Sequence, residues 1–288
     1  YIKFDVGSEY LFTKANFGDD ATDSDVTSSI ENGSTDIMLV TVGMDSLEID
    51  AGIYRFASIG DYVFLDINED GIQNNDDLGL SGIELALIDA TGSQVALDTS
   101  GVDGTYLFDD LVPGEYTITL LNSDLYLPTI TGEGTPSTDS DLLESNGQYF
   151  SDLIATCSGQ QMNTIDFGFV IDYATITGQV YEDSKTDAIF NVGDTAIVNV
   201  TVTLYDALNQ VVQSTITDDL GNFRFENIIA GDFYIQYGLS NEYLYSTANI
   251  TAANGAGSTD TFTLVPGETK DDELTGAYIL GSIGDYVF

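Results

Sequence analysis

The residues best suited to chemistry lie in one short stretch, Asp66-Ile67-Asn68-Glu69-Asp70-Gly71-Ile72-Gln73-Asn74-Asn75-Asp76-Asp77. Asp66, Asn68 and Asp70 stand at positions 1, 3 and 5 of an EF-hand-like loop, and Gly71 supplies the sharp turn at position 6. Ile72 offers its backbone carbonyl at position 7. Asp77 takes position 12, where glutamate is usual; being shorter, it brings a single oxygen, or Asp76 contributes instead. A loop that curls around an ion turns alternate side chains toward one point, and oxygens in that order replace calcium's water shell. The spacing predicts a calcium site. The alternative is an Asn/Asp-rich turn joining two strands.

Weaker versions occur elsewhere. Asp183, Asp187 and Asp194 repeat positions 1, 5 and 12, but Lys185 occupies position 3 and Ala188 replaces the glycine. An ammonium beside the ion competes with it, so this loop is an even choice between filled and empty. A second acidic loop carries Asp19, Asp20, Asp23 and Asp25, whose carboxylates stay close together only when solvated or sharing a cation. Its counterparts are Asp139 and Asp141 and, in the last unit, Asp260. Asp103 and the pair Asp218-Asp219 precede strands and read as ordinary turn residues.

These loops need β-strands to hold them. Ile83, Leu85 and Leu87 alternate with Glu84 and Ala86, and Val198, Val200, Val202 and Leu204 alternate with Asn199, Thr201 and Thr203. That period of two, bounded by Gly, Asn and Asp, predicts antiparallel strands, and no segment keeps a helical period over ten or more residues.

The chain also repeats itself. Ser58-Ile59-Gly60-Asp61-Tyr62-Val63-Phe64 recurs letter for letter at 282–288, with a diverged copy from Thr175 to Tyr181. The marker isoleucines Ile59, Ile176 and Ile283 stand 117 and 107 residues apart. Gly104-Thr105-Tyr106-Leu107-Phe108 is answered by Gly221-Asn222-Phe223-Arg224-Phe225. The register predicts the second half of a truncated unit at 1–57, whole units at 58–174 and 175–280, and the first strand of another at 281–288. On this reading the fragment starts and stops inside domains, and the missing strands come from unseen polypeptide or a neighbouring subunit.

Composition narrows the function. The chain has 48 acidic and 6 basic residues, a formal net charge of −42, so nucleic acid is excluded as a partner by repulsion at every phosphate. No basic cluster suits an anionic membrane, and no apolar run approaches the ~20 residues of a membrane-spanning helix. High external salt, an elongated shape or bound cations are three ways to relieve the self-repulsion. With no histidine and one cysteine, Cys/His zinc sites and His-dependent nucleophile systems are impossible, leaving oxygen ligands and hard cations. Cys157 reads as a small buried residue in preference to an intermolecular crosslink. Asn32, Asn199 and Asn249 fit the glycosylation sequon.

The Ser58–Phe64 segment, the Asp66–Asp77 loop, the strand from Gly79 to Leu87 and the Gly104–Phe108 segment, in that order, resemble the SdrD B-like repeats of serine–aspartate-repeat surface adhesins. These are relatives of the Cna B-type fold. The resemblance implies an all-β protein of tandem prealbumin-like, immunoglobulin-like antiparallel β-sandwich domains in an elongated array. It implies calcium ligation by Asp66, Asn68, Asp70, Ile72 and Asp77, more weakly by Asp183, Asp187 and Asp194, and a secreted or cell-surface location. Many Cna B-type relatives carry a Lys–Asn isopeptide bond; residues 58–174 contain no lysine, so that bond cannot form there.

The expected function is a calcium-stabilised extracellular stalk or filament whose partners are neighbouring repeats or copies of itself. The competing reading is a module that binds glycan or a surface protein, with Tyr126, Tyr149, Tyr243 and Tyr245 as candidate contacts, although alternating tyrosines more often line a sheet. An enzyme is not expected: with so many acids a carboxylate pair arises by chance, and the acidic loops vary between copies without a fixed dyad.

Overall fold

The computed structural model describes the chain apart from Asp20, Asp124, residues 46–47, 247–249, 251–256 and 281–288, and the side chain of Asp272. The candidate ligand Asp20, the sequon at Asn249 and the strand expected at 281–288 therefore lie outside the described residues. Every regular element described is a β-strand. The chain divides into two compact units, Tyr1–Ser123 with Leu127–Val170, and Asp124–Tyr126 with Ile171–Phe288.

Within the first unit, the strand Ala57–Leu65 opens a two-sheet sandwich. It pairs antiparallel with Thr105–Leu111 and Leu78–Gly79, and parallel with the closing strand Phe167–Ile171, in the register Val63 to Phe167 and Leu65 to Phe169. The facing sheet runs Leu143–Ser145, Gln148–Phe150, Glu115–Leu120, Glu84–Asp89 and Gln94–Thr99, all antiparallel. Alternation puts Ile59, Val63, Leu85, Leu87, Ile118 and Phe167 in the core between the sheets, each fully buried. Ala86, expected on the outer face, is buried as well.

The second unit repeats this plan. Ala174–Glu182 pairs antiparallel with Asn222–Ile228 and parallel with the closing strand Thr269–Ile279. Opposite it lie Val211–Ile216, Thr201–Asp206, Gly231–Gly238 and Phe262–Leu264. Its core centres on Ile176, Val202, Leu204, Phe225 and Ile235. The sandwich is thus antiparallel except where its first strand meets the last one and, in the first unit, Gln161–Asn163 as well.

One small device recurs at matching places and aligns the copies. A buried hydroxyl accepts the amide of an isoleucine while its own amide returns to that isoleucine's carbonyl: Thr35 with Ile2, Ser151 with Ile118, Thr259 with Ile235. Ser100 with Ile83 and Thr217 with Val200 make the same exchange at a second matching place in the two sandwiches. The segment 1–57 shares further bonds with the end of the next copy. Thr13 and Thr129 donate their amides to the carbonyls of Gly52 and Gly168, and Asp25 and Asp141 donate theirs to Asp50 and Asp166.

Cys157 is exposed, not buried. It begins a turn whose amide donates to Gln160 Oε1 at 2.8 Å, between the strands Ile154–Ala155 and Gln161–Asn163, so its side chain has no core to enter.

Candidate metal loops and the acidic cluster

The Asp66 loop leaves the end of the opening strand, which carries Asp66 itself below the surface at 2% exposure. Burial of a carboxylate demands donors. Asp66 accepts the Gly71 amide at 2.8 Å, the Asp70 amide at 3.3 Å and the Thr129 hydroxyl. Asn68 Oδ1 accepts the same Asp70 amide at 3.3 Å, so side-chain oxygens from positions 1 and 3 converge on one point. Gly71 has φ +77°, a conformation that a side chain disfavours, and a Cβ there would meet Ile130. Asp77 closes the loop, accepting the amides of Ile67 and Asn74 at 2.9 Å each. Asn68, Asp70 and Asp76 are exposed.

The donors are all oxygen, no cationic side chain enters the loop, and the residues follow one another in the order an EF-hand-like site uses. The residues fit. Asp66, Asn68, Asp70, the Ile72 carbonyl and Asp77 would hold calcium, which would supply charge neutralisation and a crosslink between the opening strand and the loop. Among the described residues no three acidic side chains gather closely enough to form a metal cluster by themselves, and both Asp77 oxygens are already engaged by amides.

The Asp183 loop copies this geometry with different contents. Asp183 accepts the amides of Lys185, Asp187 and Ala188 at 3.2, 3.2 and 2.8 Å. Asp194 accepts those of Ser184 and Asn191. Desolvation opposes ionisation of Asp183, but the Ser246 hydroxyl beside it and these amides win, holding its carboxyl below the usual range. Asp194 is likewise held low, chiefly by the Asn191 amide. Lys185 does not point at a carboxylate; its ammonium donates to Asn191 Oδ1 at 2.6 Å. Ala188 keeps the glycine's conformation at φ +62°. The loop therefore closes on its own hydrogen bonds and carries its own cation.

The Asp-Ser-Asp loops turn out to clamp the closing strand. Ser140 Oγ accepts the Gly168 amide at 3.0 Å and Asp141 Oδ2 accepts the Asp166 amide at 2.9 Å; Ser24 and Asp25 do the same for Gly52 and Asp50 at 3.2 and 2.7 Å. Asp19 turns its carbonyl toward the amides of Thr22 and Asp23. Asp260 is not part of this set. It follows the hydroxyl clasp at Thr259 as Asp36 follows Thr35 and Asp152 follows Ser151, so its true counterparts are those residues.

Asp166, which the spacing did not single out, is fully buried with neither carboxylate oxygen hydrogen-bonded; Asp139 Oδ1 and its counterpart Asp23 Oδ1 are also buried without a partner. Burial, then the carboxylates of Asp61 and Asp141, push Asp166 up to about 8, and burial pushes Asp141 to about 6. The signal in the sequence was the Asp before Phe167-Gly168, which the third copy replaces with Leu274. A raised folded pKa means the folded state keeps protons the unfolded chain releases near 3.8. Stability is therefore full below that value and falls as pH rises toward 8. In EDTA, thermal melts from about pH 5 to about pH 8 are expected to show declining stability, steepest near pH 5, where Asp141 and Asp166 both hold their protons, and about 1.4 kcal/mol per pH unit between about pH 6 and 8, with Asp166→Asn removing most of the slope in that upper range. A wild-type slope unchanged by that substitution would refute the assignment.

The profile of the SdrD B-like domain family matches residues 57–169 and 174–275, spanning both sandwiches from opening to closing strand. The chain belongs to the SdrD B-like domain family. Among curated relatives of these SdrD B-like repeats, Serine-aspartate repeat-containing protein F of Staphylococcus epidermidis (strain ATCC 12228 / FDA PCI 1200) is 32% identical over 250 residues, covering 86% of this chain and 14% of that protein. Serine-aspartate repeat-containing protein E of Staphylococcus aureus (strain USA300) is 30% identical over 284 residues, covering 94% and 23%. The chain thus spans less than a quarter of either relative. Among solved structures, the Bacillus anthracis TIE protein aligns with a TM-score of 0.54 at 12% identity, covering 86% of this chain and 39% of that one, a likeness of fold alone. The SdrD B-like assignment fits the loop placement, since both Asp66 and Asp183 directly follow the opening strand of a matched repeat.

Proposed function

We propose that this chain is a load-bearing part of an extracellular or cell-surface stalk whose first SdrD B-like repeat is stiffened by calcium in the Asp66 loop. The parallel pairing of first and last strands in each repeat carries the reading. Parallel neighbours place the chain's entry and exit at opposite ends of a repeat. Tension along the chain then loads that pair in shear, and its hydrogen bonds must fail together. Calcium would add a crosslink at the end of the loaded strand and offset part of the −42 charge.

Single-molecule pulling on the chain tests this. Two discrete unfolding events are expected, with the more resistant one weakened by EDTA and restored by calcium. Gradual unzipping at low force would sink the load-bearing role, and forces indifferent to EDTA would sink the calcium part.

A further inference from the structure

A groove of about 720 Å³ lies in the second unit, where the outer face of the sheet formed by Thr201–Asp206 and Gly231–Gly238 meets the segment that follows Gly238. Among the described residues, no Asp, Glu, Lys or Arg lines it. In a chain with 48 acids that is unusual: the groove at Asp61 and Asp98 and the one at Asp218 and Asp271 are both walled by carboxylates. Its walls carry hydroxyls and carboxamides instead, from Thr203, Gln236 and Asn241, with the half-buried rings of Tyr243 and Tyr245 at one end.

Comparison with the sister repeat shows how the groove opened. The two copies align without a gap from Ile83 to Ser93 and from Glu115 to Thr129, each residue matching the one 117 further on. Glu84 becomes Thr201 and Asp124 becomes Asn241, removing two charges, while Leu125 becomes Glu242, whose carboxylate accepts the Ser240 hydroxyl at the groove's rim; Leu121, 52% exposed, becomes Gly238, removing a bulky side chain. A Cβ on Gly238 would lie 3.2 Å from the Thr201 carbonyl, so this glycine lets the strands' outer face stay open. Ile88 and Thr117 become Tyr205 and Tyr234, which stack at 5.0 Å with an interplanar angle of 6°. They sit on the same face as Thr203 and Gln236, one cross-strand pair along, and Tyr205 Oη donates to Gln236 Oε1 at 3.4 Å. From the tyrosine pair to Gly238 the face extends for about 13 Å.

A sheet face with a stacked tyrosine pair at one end, leading to a groove bordered by Tyr243 and Tyr245 and lined by hydrogen-bonding side chains, matches a polyhydroxylated ring compound, whose C–H face packs on tyrosine and whose hydroxyls pair with amides. We propose that the outer face of the second repeat binds a neutral oligosaccharide. The Tyr245 hydroxyl, donating to the Tyr237 carbonyl at 2.8 Å, and the Tyr234 hydroxyl, donating to Asn209 Oδ1 at 3.1 Å, fix two of the rings before any ligand arrives. Acidic glycans are repelled by the surrounding charge.

The test uses the whole chain in calcium buffer and a panel of neutral chito-, cello-, manno- and galacto-oligosaccharides, read by saturation-transfer NMR and calorimetry. At least one series is expected to bind, with Gly238→Leu and the surface change Thr201→Glu each weakening it by about tenfold or more. Circular dichroism and the melting temperature check that both variants fold, and Thr201→Glu serves if the leucine does not. No binding at millimolar saccharide, binding indifferent to these changes, or preference for a sialylated or sulfated glycan would overturn the proposal. The stalk reading is tested by force and chelation without saccharide, so either can fail alone.

Discussion

Asp66→Ala is expected to abolish the calcium response of the first repeat and to destabilise it even in EDTA. The two effects have separate causes. With calcium present the variant loses a ligand, and an ion at a hundredfold excess over its dissociation constant contributes about 2.7 kcal/mol to folding. Without calcium it still strands the Gly71 amide and the Thr129 hydroxyl in a buried position, at about 1–3 kcal/mol for each group left unpaired, while the exposed Asp70 amide keeps Asn68 Oδ1. Asp76→Ala is the control, since Asp76 is exposed and the change should stay within about 0.5 kcal/mol. Differential scanning calorimetry with calcium and with EDTA reads both. If the wild type melts identically in the two buffers, calcium does not stabilise the repeat. If Asp66→Ala matches Asp76→Ala in EDTA, the carboxylate is not the hub of the loop.

Phe167→Ala should be the most damaging change in the first core. Phe167 is fully buried, stacks on Tyr106 with centroids 5.8 Å apart, and sits on the closing strand opposite Val63. Removing the ring leaves a cavity where Tyr106 cannot follow, because its hydroxyl is tied to the Ile165 carbonyl at 2.7 Å. A cost of about 3–5 kcal/mol is expected, enough to consume a large share of a single domain's stability. Leu107→Ala, at a position 52% exposed on the paired strand, should cost little. Urea unfolding followed by tyrosine fluorescence separates them; equal midpoints would contradict the core assignment. The stalk reading adds that Phe167→Ala lowers the pulling force, since the ring anchors the strand that tension loads.

Much was legible in the sequence because it rests on local pattern. The strands followed from alternating side chains, the repeats from recurrence of Ser58–Phe64, and the Asp66 loop from the order of its oxygens and the turn at Gly71. What escaped depended on residues far apart. Period-two alternation says which side chains face inward but not which strand lies alongside, so the parallel meeting of Ala57–Leu65 with Phe167–Ile171 was invisible. Thr129 reaches Asp66 across 63 residues, and Asp166 is buried only because the opening strand covers it. Cys157 looked like a core residue by type, yet a turn leaves it in solvent.

The acidic loops divide along the same line. The sequence alone determined that oxygen-bearing residues in EF-hand-like order follow the opening strand, and that the second copy has Lys185 at the third position. Only the tertiary structure decided that Ser140 and Asp141 spend their oxygens on the amides of Gly168 and Asp166. Ligand order is a property of consecutive residues, whereas the partner of a carboxylate is fixed by whichever strand the fold brings beside it.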